Sequence, residues 1–292
     1  MRTRFCVRTS YKVVFCIVLP RKVLVLTNGN QKKGIFYKNT AGGIDKQQGW
    51  FVIKHHTCIA KDVYEMDLSG DTTAITAAGQ FVNIRIDGCY LRRPISVCAV
   101  DTGVLRLIYK VVGAGTKRLS EMQVGEKLDL LSGLGNGYDL SCSGTAPLLI
   151  GGGVGVPPLY EAAKRLRVAG KEVTVLLGFR SACDVFYTEQ FASLGCQVRV
   201  ATEDGSSGTR GFVTYILPPK TAYSYVYTCG PEPMLRAVQA VGGIGQYSFE
   251  QRMACGFGAC MGCSCQTITG YKRICKEGPV LRGEEILWNQ KN

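Results

Sequence analysis

Histidine is almost absent from this sequence. The chain has 292 residues but only two histidines, His55 and His56, which are adjacent. Neither a Ser–His pairing nor a paired carboxylate motif accompanies them. The sequence therefore offers no candidate catalytic residue for acid–base work on a substrate.

Acidic residues are nearly missing from the N-terminus. Residues 1–47 hold ten Lys or Arg against Asp45 alone, so nine of the thirteen net positive charges lie there. The rest of the chain has an ordinary charge, so nucleic acid is not predicted as a partner. The apolar run Val13–Leu19 ends at Pro20, too short to span a membrane, and no signal-peptide cleavage site follows. We expect residues 1–48 to be a poorly ordered extension of unknown role.

The next part of the chain, residues 49–140, is rich in short apolar or alternating segments. Phe51–Lys54, Val63–Asp67, Phe81–Ile86 and Leu105–Tyr109 are separated by turns that contain Gly and Asp. Closely spaced strands with few helices predict a small antiparallel β-barrel.

The pattern changes after residues 132–147, which are rich in Gly, Ser and Pro. Residues 141–245 alternate buried strands, such as Leu148–Ile150, with helical spacing, such as Pro158–Ala169. This alternation predicts a parallel α/β domain. Residues 246–292 form a small C-terminal segment, so the predicted fold class is an α+β multidomain protein.

Cysteine, in contrast, is abundant and clustered. Five of the fourteen cysteines lie between positions 255 and 275. Cys255, Cys260 and Cys263 follow the C-x4-C-x2-C spacing of plant-type 2Fe–2S clusters, and Cys275 supplies a fourth thiolate. Anionic sulfur suits ferric iron, and the interleaved glycines let the loop turn its N–H groups towards a cluster. The sequence predicts a 2Fe–2S cluster in a reducing, cytoplasmic compartment.

Structural zinc is the alternative for these thiols. Zinc sites usually show paired C-x2-C knuckles, and neither histidine is close in sequence. The spacing favours iron, but a non-enzymatic zinc or redox-sensing module stays open. Cys265 does not fit the spacing, and its role also stays open.

A second motif, Arg93-Pro94-Ile95-Ser96, resembles the Arg-x-x-Ser signature of ferredoxin-reductase-like flavin domains. In such domains the Arg neutralises the flavin pyrophosphate, for which a guanidinium fork suits better than an ammonium. A surface turn is the alternative. The resemblance extends along the following strand and turn, and the FAD site that it implies comprises Arg93, Pro94, Ile95, Ser96, Ile108, Tyr109, Lys110, Gly115 and Thr116.

A third motif runs from a strand into a glycine-rich turn and a helix, Leu148 to Pro158. This geometry presents N–H groups and a helix N-terminus to a phosphate. The motif departs from the usual G-x-G-x-x-G fingerprint. Arg180 also stands at the end of the second strand, where the fingerprint has an acidic residue. These residues therefore do not decide whether the nucleotide is NAD or NADP. With the Cys-Gly-Pro turn at Cys229, the motif resembles the pyridine-nucleotide lobe of ferredoxin reductases. The resemblance implies a nucleotide site at Gly151, Gly153, Gly155 and Cys229.

The cysteine-rich C-terminal segment resembles one family in particular. Residues 250–263, EQRMACGFGACMGC, and 271–280, YKRICKEGPV, closely resemble the electron-transfer subunits of heteromeric, NAD-linked dihydroorotate dehydrogenases. The resemblance implies an oxidoreductase subunit of pyrimidine biosynthesis with FAD, a 2Fe–2S cluster and NAD as co-substrate. Electrons from an FMN-containing catalytic subunit would pass through the cluster and FAD to NAD. A heterotetramer with two copies of each subunit is expected.

The rival interpretation is the small flavin and iron–sulfur subunit of another complex in this superfamily, a transhydrogenase or a hydrogenase. The two differ in their partner, which would bear FMN and orotate in the first case and further clusters in the second.

Overall fold

The structure, a computed structural model, describes residues 4–9, 12–19, 22–27, 36–37 and 46–288, with side chains from residue 46 onward. Three N-terminal strands, β1 (Arg4–Thr9), β2 (Lys12–Leu19) and β3 (Lys22–Thr27), form an antiparallel sheet. Much of the extension predicted for residues 1–48 lies outside the described residues, so its expected disorder stays a prediction.

A closed antiparallel barrel follows. Its six strands are β5 (Lys46–Ala60), β6 (Val63–Ser69), β7 (Phe81–Arg85), β8 (Arg93–Asp101), β9 (Val104–Lys110) and β10 (Lys127–Leu134), and a short strand, β4 (Phe36–Tyr37), pairs with β5. The strands lie in the order β7-β8-β9-β6-β5-β10, and β10 closes the barrel because it also pairs with β7. Alternate side chains such as Val82 and Ile84 fill the interior. A short helix, α1 (Ala114–Ser120), precedes β10.

The second domain is built on a seven-stranded sheet. Its strands are β11 (Pro147–Gly152), β12 (Thr174–Phe179), β13 (Gln197–Thr202), β14 (Thr209–Arg210), β15 (Tyr225–Cys229), β16 (Gly245–Ser248) and β19 (Val280–Arg282). Their order is β14-β13-β12-β11-β15-β16-β19, and all pairs are parallel except β16 with β19. The strand order reverses direction between β11 and β15. Such a reversal opens a crevice at the carboxyl ends of the strands, which is where α/β sheets bind ligands.

Helices cover both faces of this sheet. They are α2 (Pro157–Val168), α3 (Thr188–Ser193) and α4 (Glu232–Gly242). Helix α2 begins at a proline, which has no N–H to leave unpaired at a helix start. It buries Leu159, Ala162, Ala163 and Leu166, a spacing that places all four on one face.

The cysteine-rich segment is tied to both domains. A hairpin of β17 (Ser264–Thr267) and β18 (Gly270–Arg273) carries its centre, and β19 then returns to the nucleotide sheet. Cys263 and Cys275 share a buried core with Phe81 of the barrel and Leu148 of the sheet. The predicted barrel, parallel sheet and small C-terminal segment are thus confirmed. Within residues 46–288, no helix is long and apolar enough to cross a membrane.

Candidate cluster, flavin and nucleotide sites

The four predicted cluster cysteines lie together as two pairs. Cys260 is a hydrogen-bond neighbour of Cys255, both on the loop before β17. Cys263 begins the hairpin and contacts Cys275 after it, whose N–H lies 3.4 Å from the Cys263 Sγ. Cys263 and Cys275 are buried, whereas Cys260 is exposed.

The loop between the first two cysteines wraps its backbone around sulfur. The Ala259 N–H donates to the Cys255 Sγ at 3.2 Å, and the Cys260 N–H approaches it at 3.5 Å. Gly256 and Gly258 have φ angles of 71° and 90°, which side chains rarely adopt. The glycines therefore allow the loop to direct its N–H groups at a sulfur.

These contacts alter the acidity of the thiols. Although burial acts to raise the pKa of Cys255, backbone N–H groups of Phe257, Cys260 and Ala259 outweigh it and lower that pKa to about 6. Burial, with the neighbouring Cys263, raises the pKa of Cys275 to about 12. Of these two thiols, Cys255 therefore ionises more readily than Cys275.

Contacts from outside the loop hold its shape. The Arg273 guanidinium donates to the Gly258 carbonyl at 2.7 Å and also pairs with the Glu277 carboxylate, which lowers the pKa of Glu277 to about 2. Lys46 donates to the Phe257 carbonyl at 2.8 Å. From the barrel, Asn83 donates to the Cys255 carbonyl at 3.2 Å.

The donor set fits a two-iron cluster. Four thiols arranged as two pairs can give each iron two sulfur ligands, and the N–H groups aimed at sulfur offset negative charge. Over residues 46–288, no three His, Cys, Asp or Glu side chains converge on a point that would hold a single metal ion. Cys265 lies on β17, half-buried, and burial raises its pKa.

Arg93 lies at the start of β8 rather than on a surface turn. A Cβ added to Gly115 would lie 2.4 Å from the Arg93 Nε, so the guanidinium rests on the backbone of the turn into α1. Within that turn, the Thr116 hydroxyl oxygen accepts hydrogen bonds from the N–H groups of Val112 and Gly113 at 2.9 and 3.2 Å. Arginine and turn together form a cationic surface that could hold a diphosphate.

The other three residues of the predicted flavin motif follow Arg93 along β8, next to β7. Pro94 and Ser96 pair with Asn83 and Phe81 of β7, and Ile95 pairs with Val82. All four motif residues, Arg93 to Ser96, remain partly accessible.

Ile108, Tyr109 and Lys110 end strand β9. Ile108 and Tyr109 are almost fully buried. The Tyr109 hydroxyl bonds His56 at 2.9 Å, and the other His56 ring nitrogen faces the Met122 carbonyl. Lys110 forms an ion pair at 3.2 Å with Asp184 of the nucleotide domain. Their side chains thus contribute to packing and domain contact, which the sequence did not reveal.

The glycine-rich turn and the Cys229 turn meet at the carboxyl edge of the sheet. Gly151 on β11 pairs directly with Cys229 on β15. A Cβ on Gly155 would lie 2.3 Å from the Cys229 carbonyl oxygen, so only glycine allows this approach. Gly153 has a φ of 52° and open space beside it.

A cavity of about 510 Å³ opens at this edge. Gly152 and Gly153 form one wall, and Arg180 and Glu203, which follow the ends of β12 and β13, contribute to the other. Pockets at the switch point of an α/β sheet are where nucleotides bind. The sequence did not point to Glu203 as a wall residue; its position directly after the end of β13 is the signal that could have found it.

Glu250 is a further residue that the sequence reasoning missed. It follows β16 by two residues. Although the residue is exposed, the surrounding protein disfavours its charged carboxylate and raises its pKa. Burial raises the pKa of Cys229, and the nearby Glu250 adds to the effect. Glu250 therefore lies close to the Cys229 turn, at the junction with the cluster loop.

Three features define the class of protein: a barrel with an arginine-lined turn, a nucleotide crevice and a four-cysteine loop. Together they are those of an electron-transfer protein of the ferredoxin-reductase-like class with an iron–sulfur segment. Two family models match the chain, the oxidoreductase NAD-binding domain over residues 149–240 and the iron–sulfur cluster binding domain of dihydroorotate dehydrogenase B over residues 250–287. The second range contains all four predicted cluster cysteines.

Curated relatives match most of the chain. The electron transfer subunit of dihydroorotate dehydrogenase B (NAD(+)) from Geobacillus sp. (strain WCH70) is 42% identical over 256 residues, covering 83% of this chain and 99% of that protein. The subunit of the same name from Fusobacterium nucleatum is 43% identical, covering 80% and 96%. The chain belongs to the family of dihydroorotate dehydrogenase B electron transfer subunits. The predicted family, oxidoreductase class and cofactors, a 2Fe–2S cluster, FAD and NAD, are confirmed.

Solved structures agree on the fold. An NADH-dependent reduced ferredoxin-NADP oxidoreductase, described in work on flavin-based electron bifurcation, is 29% identical with a TM-score of 0.73 and covers 82% of this chain and 90% of its own. An Amycolatopsis cytochrome P450 reductase, 22% identical with a TM-score of 0.60 over 69% and 68% of the two chains, shares the fold alone.

Proposed function

We propose that this chain carries electrons from dihydroorotate, oxidised by an FMN-containing catalytic subunit, to NAD in pyrimidine biosynthesis. The observation that carries the proposal is the union of a four-cysteine loop with a reductase fold in one chain. A protein that joins these parts exchanges single electrons at one end and hydride at the other. The relatives named above are electron transfer subunits of such an enzyme.

Each bound group needs its own residues. Cys255, Cys260, Cys263 and Cys275 hold the cluster, which supplies one-electron exchange, while FAD joins single electrons into hydride transfer. Arg93 with the turn at Gly115 and Thr116 binds the FAD diphosphate, and Arg93 to Ser96 form the wall of that site. Ile108 to Lys110 support this wall from the neighbouring strand β9.

The nucleotide takes the cavity that Gly153 lines, while Gly151 and Gly155 hold the glycine-rich turn against the Cys229 turn beside it. Residues 49–140 form the flavin domain, 141–245 the nucleotide domain and 246–292 the cluster segment. Because β19 pairs with β16 of the nucleotide sheet, the cluster segment is packed against the nucleotide domain.

The partner surface lies around the exposed Cys260. Phe257 and Met261 beside it are 43% and 53% exposed, and apolar side chains at such a rim favour a protein contact. We expect a heterotetramer with two copies of each subunit in the cytoplasm. Light scattering on the coexpressed complex tests the stoichiometry, and a mass equal to one copy of each would contradict it.

The cluster assignment is tested by single substitutions. Cys255→Ser, Cys260→Ser, Cys263→Ser and Cys275→Ser should each lose bound iron and the EPR signal of the reduced cluster, whereas the control Cys265→Ala should keep both. A normal EPR signal in Cys260→Ser would contradict the assignment. Zinc in place of iron in the purified protein, without visible absorbance, would support the redox-sensing alternative.

The function is tested with and without the partner. The chain alone should pass electrons from NADH to an artificial dye but should not oxidise dihydroorotate, because it has no base for the substrate carbon. Adding the catalytic subunit should produce dihydroorotate-dependent NAD reduction. Turnover of dihydroorotate by the isolated chain would refute the proposal.

The transhydrogenase small subunit remains the second candidate, favoured by the 29% identity to the ferredoxin-NADP oxidoreductase. The dihydroorotate relatives are closer, at 41–43% identity. Co-purification with a partner that contains further iron–sulfur clusters, and no orotate binding, would decide for the transhydrogenase.

A further inference from the structure

Asn83 is a buried amide at the junction of the barrel and the cluster loop. Its neighbours on β7, Val82 and Ile84, point into the barrel, so the Asn83 side chain points outward. There it is 1% exposed, and its Nδ2 donates to the Cys255 carbonyl at 3.2 Å. A Cβ on Gly256 would lie 2.3 Å from this Nδ2, so the contact requires the glycine that follows Cys255.

The other half of the Asn83 amide is unsatisfied. Its Oδ1 is buried and has no hydrogen-bond partner among the described residues. An orphaned buried acceptor costs about 1–3 kcal/mol, which an apolar side chain of similar size would avoid. Fold stability alone therefore does not account for an amide here; its one directed hydrogen bond is what leucine could not supply.

The backbone of Asn83 pairs with the strand that carries the proposed flavin site, without being part of that site. Asn83 pairs with Pro94, inside the Arg93–Ser96 motif of β8. Its carbonyl accepts from Arg92 at 3.3 Å, and the Arg92 guanidinium also binds Asp129 of β10. The position of residue 83 is thus fixed on both sides by the barrel.

We propose that Asn83 is a positioning residue that holds the Cys255 end of the cluster loop against the flavin strand and so sets electron transfer between FAD and the cluster. Outer contacts of this kind orient ligands and tune the centre that the ligands hold. Asn83 acts through the Cys255 backbone. The inference rests on the proposed function, in which Cys255 is a cluster ligand.

The test uses the protein loaded with FAD and cluster, in complex with its partner, mixed with NADH without oxygen. Asn83→Leu removes both amide groups at similar volume, and Asn83→Asp keeps the shape but loses the donor. In both variants we expect flavin reduction at the wild-type rate but cluster reduction slowed by about tenfold or more. The EPR g values of the reduced cluster should shift, and Asn83→Leu should not lower the melting temperature.

Gln80→Leu is the matched control. Gln80 is a buried amide just before β7, but its groups bond Thr76, Ala77 and Gly135 rather than the loop. Its loss should lower the melting temperature and leave the ratio of the two reduction rates unchanged.

Wild-type cluster reduction and EPR in Asn83→Leu would overturn the inference, as would a melting temperature lowered as in Gln80→Leu with no change in that ratio. Failure of the proposed function has a different signature, because the wild-type complex would then show no dihydroorotate-dependent NAD reduction, whereas failure of this inference alone leaves that activity intact.

Discussion

Gly155→Ala should disable the nucleotide site by a steric clash between two turns. The added Cβ would lie 2.3 Å from the Cys229 carbonyl oxygen, 2.4 Å from its carbonyl carbon and 2.6 Å from the Gly230 nitrogen. All three atoms belong to the backbone, so no side-chain rotation relieves the contact. The glycine-rich turn must move away from the Cys229 turn, and the cavity lined by Gly153 and Pro231 of these two turns must change shape.

The size of the effect follows from the clash. Forcing an extra methyl group into a packed site costs about 1–3 kcal/mol. If the crevice absorbs this cost when NAD binds, the affinity falls by roughly 5- to 150-fold. We expect a rise of that order in the KM for NADH in the dye assay, with FAD and iron contents unchanged.

Gly170→Ala is the matched control. Gly170 has a φ of 74° and nothing within 4 Å of an added Cβ, so alanine there strains the backbone but collides with nothing. That strain costs about 1–2 kcal/mol of stability and should leave the KM unchanged. An unchanged KM in Gly155→Ala, or an equal rise in both variants, would refute the steric reasoning.

Two further predictions concern the other sites. Arg93→Ala should lower FAD affinity roughly ten- to a hundredfold, since a hydrogen bond to a charged group is worth about 1.5–3 kcal/mol; flavin release after gel filtration measures it, and full FAD occupancy would count against the diphosphate role. In cluster-free protein, Cys255, whose pKa is lowered to about 6, should react with iodoacetamide at neutral pH well before Cys275, whose pKa is raised to about 12. The Cys255 rate should fall as the pH drops below 6, and mass spectrometry that finds Cys275 modified first would contradict this.

The cluster loop could be predicted from sequence because its information is local. Cys255, Cys260 and Cys263 lie within nine residues of chain, and their spacing alone indicates the ligand geometry. The alternation of strands and helices was equally informative for the nucleotide domain. A pattern that is complete within one segment of the chain can be recognised without knowing the tertiary structure.

Strand β8 was harder to predict because its first residues obscure it. Arg93 and Pro94 interrupt the apolar pattern, and proline argues against a strand. In the fold, Pro94 is tolerated in β8, opposite Asn83. Strand β19 has only three residues and gains its place by pairing with β16, a partner more than thirty residues away. Neither strand has a sufficient local signal.

The remaining site residues depend on contacts that are distant in sequence. Asn83 lies 172 residues from Cys255, whose carbonyl it binds. Lys110 has the expected place at the end of β9, but its ion pair with Asp184 joins the two domains. Sequence spacing cannot reveal such pairs, because the chain brings them together only after both domains have formed.

The most direct test of the relay is made on the complex of this chain with its FMN-containing catalytic subunit. Two rates are measured on the same preparation, dihydroorotate-dependent NAD reduction and NADH-to-dye activity. In Cys260→Ser we expect the first rate to be lost and the second to be retained. Dihydroorotate-dependent NAD reduction that survives loss of the cluster would contradict the account.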